Sequence, residues 1–197
     1  MPAAASCRRT ALNMINHQAR HALTDLVLQH LEESAQDELP LVVSQYSLGS
    51  SGVVVDLAVA AEELIGFVIH IGGEPLDQLE GLLATCARYV DRVVVVVADK
   101  DAEALGGIDR AGAAIWAVDE ARTLVELRPG HANIIGPAAL FDLMPAQHRA
   151  SLVRQAIQVD GPYDRARAPI SLQQLREHAL LCLETPQQRY WSALRAF

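Results

Sequence analysis

Two side chains capable of chemistry, Asp56 and His70, lie on valine-rich segments joined by the short polar link Ala60-Ala61-Glu62-Glu63. A tight turn in that link makes the two segments a hairpin, with Asp56 roughly opposite His70 and with Val68 and His70 alternating onto one face. A carboxylate and an imidazole brought together in this way have two uses. They form a hydrogen-bonded pair that closes a polar pocket, or the imidazole acts as a general base or as a nitrogen ligand for a metal such as Mn2+ or Zn2+. Two ligands alone rarely suffice for a metal site, which favours the first use. Glu62-Glu63 reads as a solvated charge pair in a turn. Asp99-Lys100-Asp101 follows another strand at its carboxyl end, where open α/β sheets often bind ligands, and Asp99 reads equally well as the cap of the next helix. Lys100 is the single lysine beside fifteen arginines, so chemistry that needs an amine has one candidate. The chain carries no GxGxxG, GxxxxGK[ST], GxSxG or HExxH, so dinucleotide, nucleoside-triphosphate, hydrolase-elbow and zincin chemistry lack their signatures.

These residues need a scaffold, and the hydrophobic pattern supplies one. Ala19, Ala22, Leu23, Leu26, Val27, His30 and Leu31 recur at close to helical spacing and predict an amphipathic helix over about His17 to Glu33. Three strands follow, Leu41 to Leu48, Val53 to Val59 and Leu64 to Ile71, with Gly49-Ser50-Ser51-Gly52 turning the chain between the first two. Leu76, Leu79, Leu82, Leu83, Cys86 and Tyr89 mark a helix with Pro75 near its start. Five consecutive valines, Val93 to Val97, then read as a strand buried on both faces. A short helix (Asp101 to Leu105) and the strands Ala113 to Val118 and Thr123 to Leu127 complete this part. The helix between the third strand and the valine run is the crossover that parallel pairing needs, so the sheet is expected to be mixed, with helices on its faces. Helix-start signals at Gly136-Pro137, Ser171 with Gln174, and Thr185-Pro186 with Gln188 predict a helical tail. The expected organisation is a flexible amino terminus (1–16), an α/β core (17–136) and a carboxy-terminal helical region (137–197).

The 197-residue chain has 24 acidic and 16 basic residues, a net charge of −8, which excludes a histone-like or polybasic role. Residues 1–136 hold 19 acids and 9 bases, whereas 137–197 hold 5 acids and 7 bases. An acidic front of this kind suits a decoy or inhibitor of a nucleic-acid-binding protein if its acids form one face. Three widely spaced cysteines, Cys7, Cys86 and Cys182, fit neither a disulfide framework nor a zinc site of the CxxC type, and Cys86 and Cys182 fall on apolar helix faces. Arg8, Arg9, Asn13 and His17 interrupt any secretory core. A soluble, cytoplasmic protein without membrane contact is expected.

Asp56-Leu57-Ala58-Val59, Leu64-Ile65-Gly66-Phe67-Val68-Ile69-His70, a helix from Leu76, and Asp91-Arg92-Val93 before the valine strand resemble small bacterial and phage proteins of the PD-(D/E)XK nuclease superfamily. The resemblance implies a restriction-endonuclease-like mixed sheet flanked by helices and, in active members, metal-dependent cleavage of nucleic acid. It aligns Asp56 with the first metal-binding aspartate. Val68 stands where the family has a glutamate, His70 where it has a lysine, Ser44-Gln45 where it often has an acid, and Leu82 where a glutamine is expected. A lone aspartate is a poor Mg2+ site, and a histidine is a weaker and shorter substitute for the lysine. The family's basic helical tail further implies that Tyr163, Arg165 and Arg167, with Arg149 and Arg154, could contact nucleic acid. The expectation is a catalytically inactive nuclease-like protein that binds a protein or nucleic-acid partner in a phage or defence setting, with no cofactor. The alternative is a divergent nuclease that uses Asp56 and His70 with Mg2+ or Mn2+.

Overall fold

A computed structural model of the chain describes residues 3–35, 40–61, 63–107, 112–159 and 170–183. Six strands form one mixed sheet in sequence order: β1 (Leu41–Ser47), β2 (Val54–Ala60), β3 (Leu64–Ile69), β4 (Arg92–Ala98), β5 (Ala114–Val118) and β6 (Leu124–Arg128). The first three pair antiparallel, β3, β4 and β5 pair parallel, and β6 returns antiparallel. The β3–β4 crossover is α2 (Leu76–Cys86), and β4 runs into the single helical turn α3 (Asp99–Ala102), continued by a 3-10 turn. These are the elements that the apolar pattern predicted, in the predicted order.

The valine run shows why. Val93, Val95 and Val97 enter the apolar cluster under α2 with Leu79, Leu83 and Cys86. Val94 and Val96 enter the cluster on the other face, where α1 (Ala3–Ser34) lays Leu23 and Val27 against Phe67 and Ile69. A strand apolar at every position has solvent on neither face, and β-branched residues suit its extended backbone. The helix expected from His17 starts at Ala3, so part of the segment read as a flexible amino terminus is helical.

The tail contributes α4 (Pro137–Leu143), α5 (Ala146–Val159) and α6 (Leu172–Leu181). Pro137 opens α4 after the Gly136 cap. Ser171 caps α6 in a full capping box: its hydroxyl accepts from the Gln174 amide, and the Gln174 side chain accepts from the Ser171 amide. Leu143 and Leu183 join the α2-side core, while Ile135, Leu140, Met144, Leu152 and Ala179 form a smaller cluster among the tail helices. The helix start expected at Thr185-Pro186 lies outside the described residues. Among the described residues no helix is long and apolar enough to cross a membrane.

Candidate functional site at the carboxyl ends of the central strands

In the β2–β3 hairpin Leu57 faces Phe67 and Ala58 faces Gly66. Extending that register by one residue sets Asp56 beside Val68, not opposite His70 as expected. The turn is tighter than assumed, with the Ala61 amide donating to the Glu63 carbonyl. His70 lies just past β3, and its amide donates to the Val96 carbonyl of β4. The expected Asp56–His70 pair is therefore replaced by a longer connection.

Asp56 is buried, and its Oδ2 accepts the Ile69 amide at 2.8 Å. Both carboxylate oxygens also receive Arg20 Nη1 from α1, at 3.0 and 3.1 Å. The same Nη1 donates to the Ile69 carbonyl at 2.7 Å, and Nη2 donates to Glu74 Oε1 at 2.6 Å. Glu74 Oε2 accepts the Ile71 amide at 3.0 Å and lies 3.5 Å from His70 Nδ1. Asp56, Arg20, Glu74 and His70 thus form one continuous chain of contacts. Burial works against the charge on Arg20, but Asp56 and Glu74 outweigh it and hold the guanidinium more firmly protonated than usual. Burial lowers the pKa of His70, only 4% exposed, more than Glu74 and Asp101 raise it, so the ring is neutral at pH 7.

Asp101 closes the cluster from α3: a side chain on Gly72 would begin 2.6 Å from both its carboxylate oxygens, so the loop after β3 passes directly beneath it. Asp99 is not a cap, because α3 begins at Asp99 and its N-cap, Ala98, makes no side-chain bond. Lys100 is exposed.

The fold does not bring the other site positions of the resemblance into this cluster. Val68 is packed in the apolar cluster under α2, and Leu82 packs against the same cluster. Ser44 and Gln45 are exposed on β1. Among the described residues, no three His, Cys, Asp or Glu side chains converge as a metal-holding group. Divalent-metal chemistry needs carboxylates free to give their charge to the ion, whereas both oxygens of Asp56 already receive Arg20 Nη1. The donor set as it stands does not fit Mg2+ or Mn2+.

In the tail, Arg149 Nη1 lies 3.3 Å from Asp142 Oδ1 and Arg176 Nη2 lies 2.5 Å from Asp91 Oδ2, so both arginines are engaged with acids. Arg154 is exposed, and Tyr163, Arg165 and Arg167 lie outside the described residues. Glu63 pairs with Arg92 at 2.6 Å. A cavity of about 340 Å3 beside the β1–β2 turn is lined by residues including Tyr46, Ser50, Asp142, Arg149 and Cys182. Its hub is Asp142, whose carboxyl is held below the usual range first by the Ser50 amide and then by the Ser50 and Tyr89 hydroxyls. Burial pushes the Tyr46 phenol up to about 12 and the buried Cys86 thiol likewise to about 12, which leaves both protonated.

Sequence reasoning missed Arg20 and Glu74. The signal for Arg20 was its spacing, one and two turns before Leu23 and Val27, which places an arginine on the buried stripe of α1. Glu74 follows the Gly72-Gly73 turn, close enough in sequence to fold back onto the Ile71 amide.

The sequence profile of the bacteriophage P4 protein cII family matches residues 15–197, which takes in most of α1, the whole sheet and the tail. The chain belongs to this family. It is a phage-associated family, and Arg20, Asp56, His70 and Glu74 all lie inside the matched region. Among solved structures, a Silicibacter pomeroyi protein of unknown function, SPO1766, is similar at 16% identity, with 72% of this chain and 94% of that one covered and a TM-score of 0.47. No curated protein matches.

Proposed function

We propose that this P4 cII-family protein is a catalytically inactive, nuclease-like protein that acts by binding a protein partner in a phage setting. The observation that carries the reading is the engagement of Asp56, the one acid that the PD-(D/E)XK resemblance retains, by Arg20 on both oxygens. Phosphodiester hydrolysis in such a site needs a carboxylate-held cation and a positive side chain at the phosphate. Here the carboxylate is neutralised from within the fold, Val68 gives no ligand, and His70 is buried and neutral. A helix, a three-strand antiparallel meander, a crossover helix and a parallel strand form the arrangement that the resemblance implies, which supports a shared scaffold. A protein partner is favoured over nucleic acid because the chain is acidic and two of the tail arginines, Arg149 and Arg176, are held in ion pairs.

The test is cleavage of single- and double-stranded DNA and RNA in Mg2+ and in Mn2+ by the wild type and Asp56→Ala. No cleavage by either is expected. Cleavage by the wild type that is lost in Asp56→Ala would instead make the protein a divergent nuclease with a rebuilt site.

A further inference from the structure

Among the described residues, Ala19 is the first of α1 to pack against the core, followed by Leu23, Leu26 and Val27. Just ahead of it, Met14, Ile15, His17 and Gln18 are exposed, the first two at 61% and 63%. Asn16 between them is half-buried, and these five residues go more than once round the helix, so α1 has no packed face there. Because α1 begins at Ala3, roughly 24 Å of helix lies ahead of Ala19. A helix of that length gains little stability by itself in water, and a surface that covers it adds what its own hydrogen bonds do not.

Charge indicates what that surface is. Residues 1–24 contain Arg8, Arg9 and Arg20 and no acid, whereas residues 25–136 hold 19 acids and 6 bases. Part of that acidity lies at the carboxyl ends of the central strands, where Arg20 anchors α1 to Glu74. Asp77 at the start of α2, and Asp99 and Glu103 after β4, are exposed there. The approach of Gly72 to Asp101 brings the α2 and α3 starts together, and Leu76, beside Asp77, is 36% exposed. Lys100 is the one base between Asp99 and Gly107. The sheet edges are poorer docking surfaces: β1 is kinked at Gln45, whose φ is 51°, and β6 carries a register shift against β5.

We propose that the uncovered half of α1 is an arm that docks on the acidic end of a second copy of this chain, the two copies exchanging arms about a two-fold axis. The arm brings positive charge to a negative surface, and its exposed Met14 and Ile15 find an apolar contact in Leu76. Each copy carries both an arm and an acidic end, so one symmetric pairing satisfies both. Nucleic acid suits the arm less well, because two arginines ahead of Ala19 are few for a phosphate backbone and the rest of the chain repels it. The inference goes beyond the reading of the preceding subsection.

Sedimentation velocity at low and high salt tests it on wild type, on Arg8→Glu/Arg9→Glu in the arm and on Asp99→Lys/Glu103→Lys at the acidic end, with circular dichroism to show that each is folded. Wild type is expected to be a dimer that dissociates in high salt, and each reversed variant is expected to be a monomer. An equimolar mixture of the two reversed variants is expected to form dimers again, since each arm then meets a surface of opposite charge. A wild-type monomer at low salt, a dimer that survives either reversal, or a mixture that stays monomeric overturns the proposal. If a reversed variant does not fold, its neutral counterpart, Arg8→Gln/Arg9→Gln or Asp99→Asn/Glu103→Gln, carries the same test, and an undiminished dimer overturns the proposal. A wild-type monomer that binds DNA or RNA only while Arg8 and Arg9 are present would give the arm to nucleic acid and would equally overturn it. Nucleic-acid cleavage would defeat the inactive-nuclease reading and leave this inference standing, whereas a monomer defeats this inference alone.

Discussion

The two ends of β3 are built alike and serve differently. At its start, the Leu64 amide donates to buried Asp91, which Arg176 of α6 neutralises. At its finish, the Ile69 amide donates to buried Asp56, which Arg20 of α1 neutralises. Each pair ties a helix to the sheet. Beside Asp91, Asn133 donates its backbone amide to the Asp91 carbonyl and its side-chain amide to the Val90 carbonyl. Around Asp56 a second acid, Glu74, and the Ile69 carbonyl share the same arginine, and buried His70 lies against Glu74. A single buried aspartate–arginine pair is a staple, but two acids on one guanidinium, with an imidazole against the second acid, make an electrostatic cluster that depends on Arg20. Finding an aspartate buried beside an arginine does not reveal which of these it is; the neighbours do.

Removing each arginine should separate the two most clearly. Arg20→Met leaves Asp56 and Glu74 together without a counter-charge; Arg20 and Glu74 are 32% and 34% exposed, so water screens part of the loss, and about 3–4 kcal/mol is expected. Arg176→Met leaves one carboxylate that still accepts the Leu64 amide, and Arg176 is 37% exposed, so water screens the pair; about 2–3 kcal/mol is expected. Urea denaturation measures both, and equal losses would reduce the Asp56 end to a second staple.

Acid should act through the Asp56 end. Burial sets the folded pKa of His70 below 6.5, so the unfolded chain binds the extra proton first as pH falls. The stability due to neutral His70 is complete above pH 6.5, declines as pH drops from there toward the lowered folded value, and changes no further below it. Melting temperatures between about pH 7.5 and 5 should therefore fall more steeply for wild type than for His70→Gln. Parallel curves would show that the ring's burial is not linked to folding.

A smaller effect belongs to the other end. Ser171→Ala removes the cap of α6, the helix that carries Arg176, and should cost about 1 kcal/mol. The NMR ring signals of His70 should stay where they are, and movement would mean that the two ends are coupled through the sheet.

Several local features were legible in the sequence because their signals are local. The five valines set β4, Gly136-Pro137 and the Ser171–Gln174 pair set two helix starts, and the order of strands and crossover helix set a mixed sheet. The hairpin was legible but its register was not, since one residue in the turn decides which side chains face each other, and the Ala61-to-Glu63 bond took up that residue.

Asp56 and His70 were visible as chemistry, but what holds them was not. Arg20 reaches Asp56 across 36 positions and Glu74 across 54, and those distances close only when α1 lies on one face of the finished sheet. The tail arginines make the same point. Arg149 and Arg176 look like a basic surface in the sequence, yet the fold turns them onto Asp142 and Asp91. Hydrophobic periodicity and turn chemistry act between near neighbours in the chain and so are written in it directly. Pairing of charges is settled last, by whichever partners packing brings within a few ångströms, and only the tertiary structure contains that information.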